Sequence, residues 1–192
     1  MKNLEDTILP SIGGMMLDEP KMLDVPHQWA IARWALKSAM VFEFISRTEA
    51  IFYTDSEREA LRLSGTIPER TFVSIARSLG IDTFFSFGNE LTADVAQLNG
   101  LVTTIAYRCF VVQVVTVRTN QPHGTTLTLD GNLQRWRNVP ITVWPTQDVA
   151  RWPNAETIIS LGALSAFHGR FESASIANDD SDDIPRVRGE VN

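Results

Sequence analysis

One stretch, Asp24 to Thr48 (DVPHQWAIARWALKSAMVFEFISRT), constrains this chain more than any other. On a helix of about 100° per residue, Arg33, Lys37, Glu43 and Arg47 fall within roughly a third of the circumference. Ile31, Trp34, Ala35, Val41, Phe42 and Ile45 occupy the rest. Such a helix presents one narrow face to water, and it is expected to be wedged between a sheet and other covering segments. Asp24 suits the N-cap and Pro26 the first turn, where a missing N–H breaks no intrahelical bond. Glu43 and Arg47 form an i,i+4 pair worth about 0.2–0.5 kcal/mol. Arg33, Lys37 and Glu43 interrupt any run of the roughly 18 apolar residues that a bilayer span needs.

The 192 residues suffice for a full core without covalent staples. Cys109 is the only cysteine, which excludes an intrachain disulfide and a thiolate cluster and fits a reducing, cytoplasmic setting. The first residues, MKNLEDTILPSIGGMM, lack the apolar core of a signal peptide, so secretion is not expected. A net charge of −6 argues against a general nucleic-acid binder, though a local basic patch remains compatible with it. About half of that charge falls in the terminal NDDSDDIPRVRGEVN, expected to be a disordered tail over 176–192 behind a single domain over 1–175.

Pro10, Gly13, Gly14 and Pro20 predict a short helical turn at Leu4–Ile8 and then an extended segment, with Ile8, Ile12, Met15, Met16 and Met22 covering the central helix. Thr54-Asp55-Ser56-Glu57 is a capping box that opens a helix closed by Gly65. Phe72–Ala76 suits either a strand or part of a third helix ending at Gly80. Thr83–Phe87 reads as a strand ended by Gly88 and Asn89. LVTTIAYRCFVVQVVTVR, from Leu101, is dense in β-branched residues, with a bend or continuation at Tyr107-Arg108 and Val112, Val114 and Val117 in the core. Asp130-Gly131 signals a two-residue hairpin. Asn138–Trp144 is a further strand, which Pro140 places at an edge or restricts to the residues after it. Ala155–Phe167 suits a helix.

Three phrases carry a family resemblance: LED at residues 4–6, WALKSAMVFEF in the central helix, and VWPTQDVARWP after the strands. Together they resemble uncharacterised bacterial proteins related to the HNH endonucleases, in which a Cys/His segment ending in a phrase like CNNGWMSKLED precedes a helix and a sheet. The resemblance runs from Leu4 to about Pro153 and aligns Thr71–Arg77 with a strand. It implies an α+β fold, one long buried helix on a mostly antiparallel sheet of five or six strands. The Cys/His segment has no counterpart in this sequence, so the fold is expected without the metal and histidine base that nuclease chemistry requires. His27, His123 and His168 have no second ligand at metal spacing, and neither a metal nor a cofactor is expected.

Individual residues give catalysis little footing. His27 suits a solvated or capping role, His168 a loop position near Arg170, and Cys109 a buried, inert thiol in a strand. Ser165 lacks the glycine spacing of a nucleophile elbow. Contact residues are easier to nominate. Arg135-Trp136-Arg137 places two guanidinium groups around an indole, a combination suited to protein hot spots and to stacking on single-stranded nucleic acid, unless Trp136 packs inward. Trp144 and Trp152, separated by a polar loop, are either core or a contact edge. Asp179, Asp180, Asp182 and Asp183 either solvate the tail or mimic nucleic-acid phosphate. By the resemblance, the chain is expected to be a non-catalytic protein-binding module, concretely a phage or mobile-element inhibitor of a host nuclease or CRISPR defence complex, an anti-CRISPR protein. The alternative is a nucleic-acid-binding accessory domain of a nuclease system.

Overall fold

The computed structural model describes residues 4–46, 51–91, 98–120, 127–130, 134–154, 156–171 and 173–176. In chain order these form α1 (Leu4–Met16), β1 (Lys21–Asp24), α2 (Val25–Ser46), α3 (Asp55–Ser64), β2 (Thr71–Ser78), β3 (Phe85–Leu91), β4 (Leu98–Tyr107) and β5 (Phe110–Thr119). There follow β6 (Leu127–Asp130), a 3-10 turn (Gln134–Trp136), β7 (Ile141–Trp144), β8 (Val149–Trp152), β9 (Thr157–Ile158), α4 (Leu161–His168) and β10 (Ser173–Ile176). The class is α+β. A six-stranded sheet runs β3-β4-β5-β2-β7, antiparallel throughout, with β9 added in parallel to the far end of β2. Two separate antiparallel pairs, β1 with β8 and β6 with β10, complete the strands.

Helix α2 packs on one face of the sheet. Ile31, Ala32, Ala35, Leu36 and Ala39 are buried there with Val73, Ile75, Leu101, Ile105, Val112, Val114 and Val143. Alanines at close-approach positions and β-branched residues on the strands let helix and sheet meet over a broad area. Asp24 acts as the expected N-cap, its Oδ1 accepting from the His27 backbone N–H at 3.0 Å.

Helix α1 is longer than its sequence suggests, running unbroken through Pro10, Gly13 and Gly14. Ile8, Ile12 and Met15 share one face and are fully buried in the α2 core, so tertiary packing outweighs the breakers. Met22, expected to cover α2, is exposed on β1 instead. Glu43 also departs from expectation. Rather than lining a solvated stripe it is buried, and Arg47, its expected partner, lies outside the described residues.

Thr54 and Glu57 close a complete capping box on α3, and Gly65 ends that helix at φ 74°. The Phe72–Ala76 segment is a strand. Strand β3 starts two residues later than expected and continues through Gly88 and Asn89. Tyr107 and Phe110 pair directly, so Arg108 and Cys109 form a two-residue hairpin turn and Cys109 is not within a strand. The Asp130-Gly131 turn falls partly outside the described residues, at 131–133; the described pairing of β6 is with β10, and Gln134–Trp136 forms a 3-10 turn where a returning strand was expected. Strand β7 occupies an edge and begins just after Pro140, as proline's missing donor requires. The expected Ala155–Phe167 helix is confined to α4, with β9 ahead of it.

Candidate interaction surface

The outer side of α2 carries a largely apolar stripe that the described residues cover only in part. Trp34, Ser38, Val41 and Ile45 follow the 4-3-4 spacing of one helix face, with Phe42 at its border. Val41 is 49% and Ile45 72% exposed. Phe84, in the approach to β3 and 47% exposed, brings its ring to 5.2 Å from that of Phe42. Between the helix and β4 the stripe opens into a crevice of about 310 Å³, lined by Met16, Trp34, Ser38, Phe42, Phe84, Ile105, Tyr107 and Phe110. Phe110 and Ile105 are buried and form its floor. Behind that floor, Phe110 contacts Trp34 at 6.3 Å and Trp152 at 5.8 Å between ring centroids, which holds the crevice wall to the core.

The opposite face of the sheet carries a polar belt. Ser74, Gln113 and Thr104 are cross-strand neighbours on β2, β5 and β4. Arg170 donates from Nε to Gln113 Oε1 at 2.8 Å and from an Nη to Ser74 Oγ at 3.0 Å. Its guanidinium lies 4.4 and 4.6 Å from the ring centroids of Phe167 and Phe171. Among the described residues no carboxylate is within ion-pair distance of it, and burial pushes its pKa down to about 10. His168 Nδ1 and Thr104 Oγ1 are 2.9 Å apart, and burial lowers the imidazole pKa to about 4. The belt separates two apolar clusters, one around Val111, Trp136, Leu164 and Phe167, the other around Val102, Val115 and Val117. Its polar groups bond to one another, which suits anchoring α4 to the sheet.

At one end of the sheet, an open cleft of about 740 Å³ is bordered by Glu57, Glu69, Arg70 and Arg118. Arg118 pairs with Glu57, so the cleft has no single-signed field for a charged ligand. No group of three His, Cys, Asp or Glu side chains suited to a metal occurs among the described residues. No helix among them is long and apolar enough to cross a membrane.

The nominated contact residues do not converge. Arg135 and Arg137 are exposed, but Trp136 turns inward, meeting Phe167 edge-on at 5.5 Å. Arg135 lies 5.2 Å from the same indole, so the ring offers no open stacking face. Trp152 is fully buried and Trp144 half-buried on the main core, the core alternative of the two that the sequence offered for this pair. Asp179, Asp180, Asp182 and Asp183 lie outside the described residues. His27 is half-buried beside Asp24, and His168, expected on a loop, is the buried last residue of α4. Cys109 is half-buried in its turn, where burial raises the thiol pKa.

The stripe itself escaped nomination because Trp34, Val41, Phe42 and Ile45 read as core. One signal pointed to it: a helix apolar on nearly every side needs cover on every side. Here the sheet, α1 and α3 cover the other sides of α2, and among the described residues Val41 and Ile45 stay exposed. Comparison with known proteins adds no relative: no family model matches the chain, and no curated protein or solved structure does.

Proposed function

We propose that this chain is a non-catalytic, cytoplasmic protein-binding module whose contact surface is the outer stripe of α2 together with Phe84. The observation that carries this reading is the exposure of Val41, Ile45 and Phe84 beside an aromatic crevice, because contiguous apolar surface of this kind marks interaction sites. A helix stripe with i, i+4 anchors fits a groove or a second helix on the partner. Taken with the HNH-related resemblance, the partner class is a host nuclease or a CRISPR defence complex, with the chain as a phage or mobile-element inhibitor.

Tagged wild-type chain and a Val41→Asp/Ile45→Asp double variant, used in parallel against bacterial lysate and then against the purified candidate, test the reading. One partner retained by the wild type and lost by the variant is the expected result, with a matching loss of protection in a phage-plaque assay. Equal retention by both proteins contradicts it. The accessory nucleic-acid reading retains the exposed Arg135 and Arg137, without an available indole. It requires binding that falls steeply with salt and weakens on Arg135→Ala or Arg137→Ala.

A further inference from the structure

The central sheet ends at β3, and hydrogen bonds elsewhere in the sheet fix which way the main-chain groups of that edge point. Val117 donates its N–H to the Arg70 carbonyl at 3.1 Å and Ser78 donates to that of Cys109 at 2.9 Å, so the odd-numbered residues of β5 bond towards β2. Its even-numbered residues therefore bond to the odd-numbered residues of β4, which leaves the even-numbered residues of β4 for β3. In β3, Phe85, Phe87, Asn89 and Leu91 direct their main-chain groups to β4, and Ser86, Gly88 and Glu90 turn theirs away from the sheet. Among the described residues no main-chain bond reaches Ser86 or Gly88 from that side. Such an edge accepts another strand unless proline, lysine or a bulge blunts it. β3 has seven residues in unbroken register, none of them proline or lysine. The opposite edge, β7, has only four residues and follows Pro140.

We propose that β3 pairs antiparallel with β3 of a second copy of this chain about a two-fold axis at Gly88, joining the two sheets into one. The edge is self-complementary in this register. All seven residues overlap, and the two Gly88 residues face each other where the backbones exchange both hydrogen bonds. A Cβ added at Gly88 meets nothing within 4 Å, so the space beside it is open. Ser86 stands opposite Glu90 of the second copy, a hydroxyl donor facing a carboxylate, and Phe85 stands opposite Leu91 of the second copy. The two Glu90 residues are held four positions apart along the strand, about 13 Å. A two-fold at Glu90 would set the carboxylates face to face and overlap only residues 89–91, and one at Ser86 would overlap only 85–87. The pairing uses the main chain of β3 and not the α2 stripe, so it stands apart from the protein-binding reading.

The test is analytical ultracentrifugation of the full chain, with amide hydrogen exchange. At ~0.1 mM protein the wild type is expected to sediment as a dimer. The Ser86 and Gly88 amides are expected to exchange more slowly as concentration rises. Gly88→Pro removes an outward N–H and leaves the bonds to β4 in place, as proline on an edge strand can, so it is expected to be a folded monomer. Ser86→Lys sets two cross-strand ion pairs in the dimer and is expected to tighten it about twofold or more, whereas Ser86→Glu sets like charges there and loosens it by a similar factor. These two variants decide the matter even if Gly88→Pro fails to fold. A wild type that stays monomeric, or a Gly88→Pro protein that is folded and dimeric, overturns the proposal. So do Ser86→Lys and Ser86→Glu that shift dimerisation in the same direction or not at all.

Discussion

Glu43 on α2 and Arg58 on α3 meet at 2.9 Å, and the Glu43 side chain is 1% exposed. The same carboxylate accepts the backbone N–H groups of Phe52 and, at 3.3 Å, Tyr53. Arg58 also donates to the carbonyl oxygens of Met40 and Tyr53. One buried acid therefore ties the end of α2 to the start of α3 and satisfies two backbone donors of the connection. Removing it leaves the Arg58 guanidinium without its counter-charge and two N–H groups without their acceptor. Glu43→Ala is expected to cost about 3–5 kcal/mol in urea unfolding, the usual scale for breaking a buried pair. Glu43→Gln, which keeps one acceptor, costs less. Amide exchange at Phe52 and Tyr53 speeds up in both variants.

Gly65 is held by its backbone. At φ 74° it donates its N–H to Leu61 at 3.1 Å, and an added Cβ would meet the guanidinium of Arg33. A guanidinium at the end of a long side chain can swing aside, so the left-handed conformation sets most of the cost. Gly65→Ala is expected to lose about 1–2 kcal/mol. Gly65→Asn, whose side chain tolerates that conformation, loses less, and thermal unfolding of the two variants ranks them.

The elements legible in the sequence are those whose signals are local. Thr54, Glu57 and Gly65 mark both ends of α3 because caps are set by neighbouring backbone groups. The β-branched run through Val112 and Val117 marks the central strands for a similar reason. What stayed hidden depends on distant partners. Nothing near Glu43 announces that Arg58 and two backbone N–H groups converge on it, so a buried acid reads as part of a solvated stripe. Pro10 and Gly13 look like breaks until Ile8, Ile12 and Met15 are placed on α2. Asp130-Gly131 has hairpin chemistry, yet β6 takes a partner more than forty positions later, Ser173–Ile176. The α2 stripe was visible as residues and invisible as a site, because apolar spacing does not say which faces receive cover.

His168 makes stability depend on pH in a fixed direction. Burial lowers its pKa to about 4, so between roughly 6.5 and 4 the unfolded chain binds a proton there and the folded chain does not. Its contribution is complete above the unfolded value and is lost as pH falls towards 4. The slope is at most about 1.4 kcal/mol per pH unit. Urea unfolding at pH 7.5 and pH 5 is expected to show a loss that His168→Gln reduces. An equal loss in the variant places the dependence elsewhere.

Arg170 is the most demanding group on the sheet's second face, a buried guanidinium whose recorded partners are neutral. Two opposing terms decide what its removal does. Taking a charge out of a desolvated site relieves a penalty, which is why apolar replacements of buried ions are often tolerated. Against this, Arg170→Met leaves Gln113 Oε1 and Ser74 Oγ without their donor, at about 1–3 kcal/mol for a buried polar atom left unsatisfied. Gln113 also spans Thr104 Oγ1 at 2.9 Å and the carbonyl oxygens of Phe167 and His168, so its orientation is fixed and it cannot turn to find another donor. The second term therefore prevails, and Arg170→Met is expected to destabilise. A double-mutant cycle with Gln113→Met checks the reason: a coupling energy of about 0.5–3 kcal/mol assigns the loss to the severed bond. Additive costs assign it to packing around Phe167 and Phe171 instead.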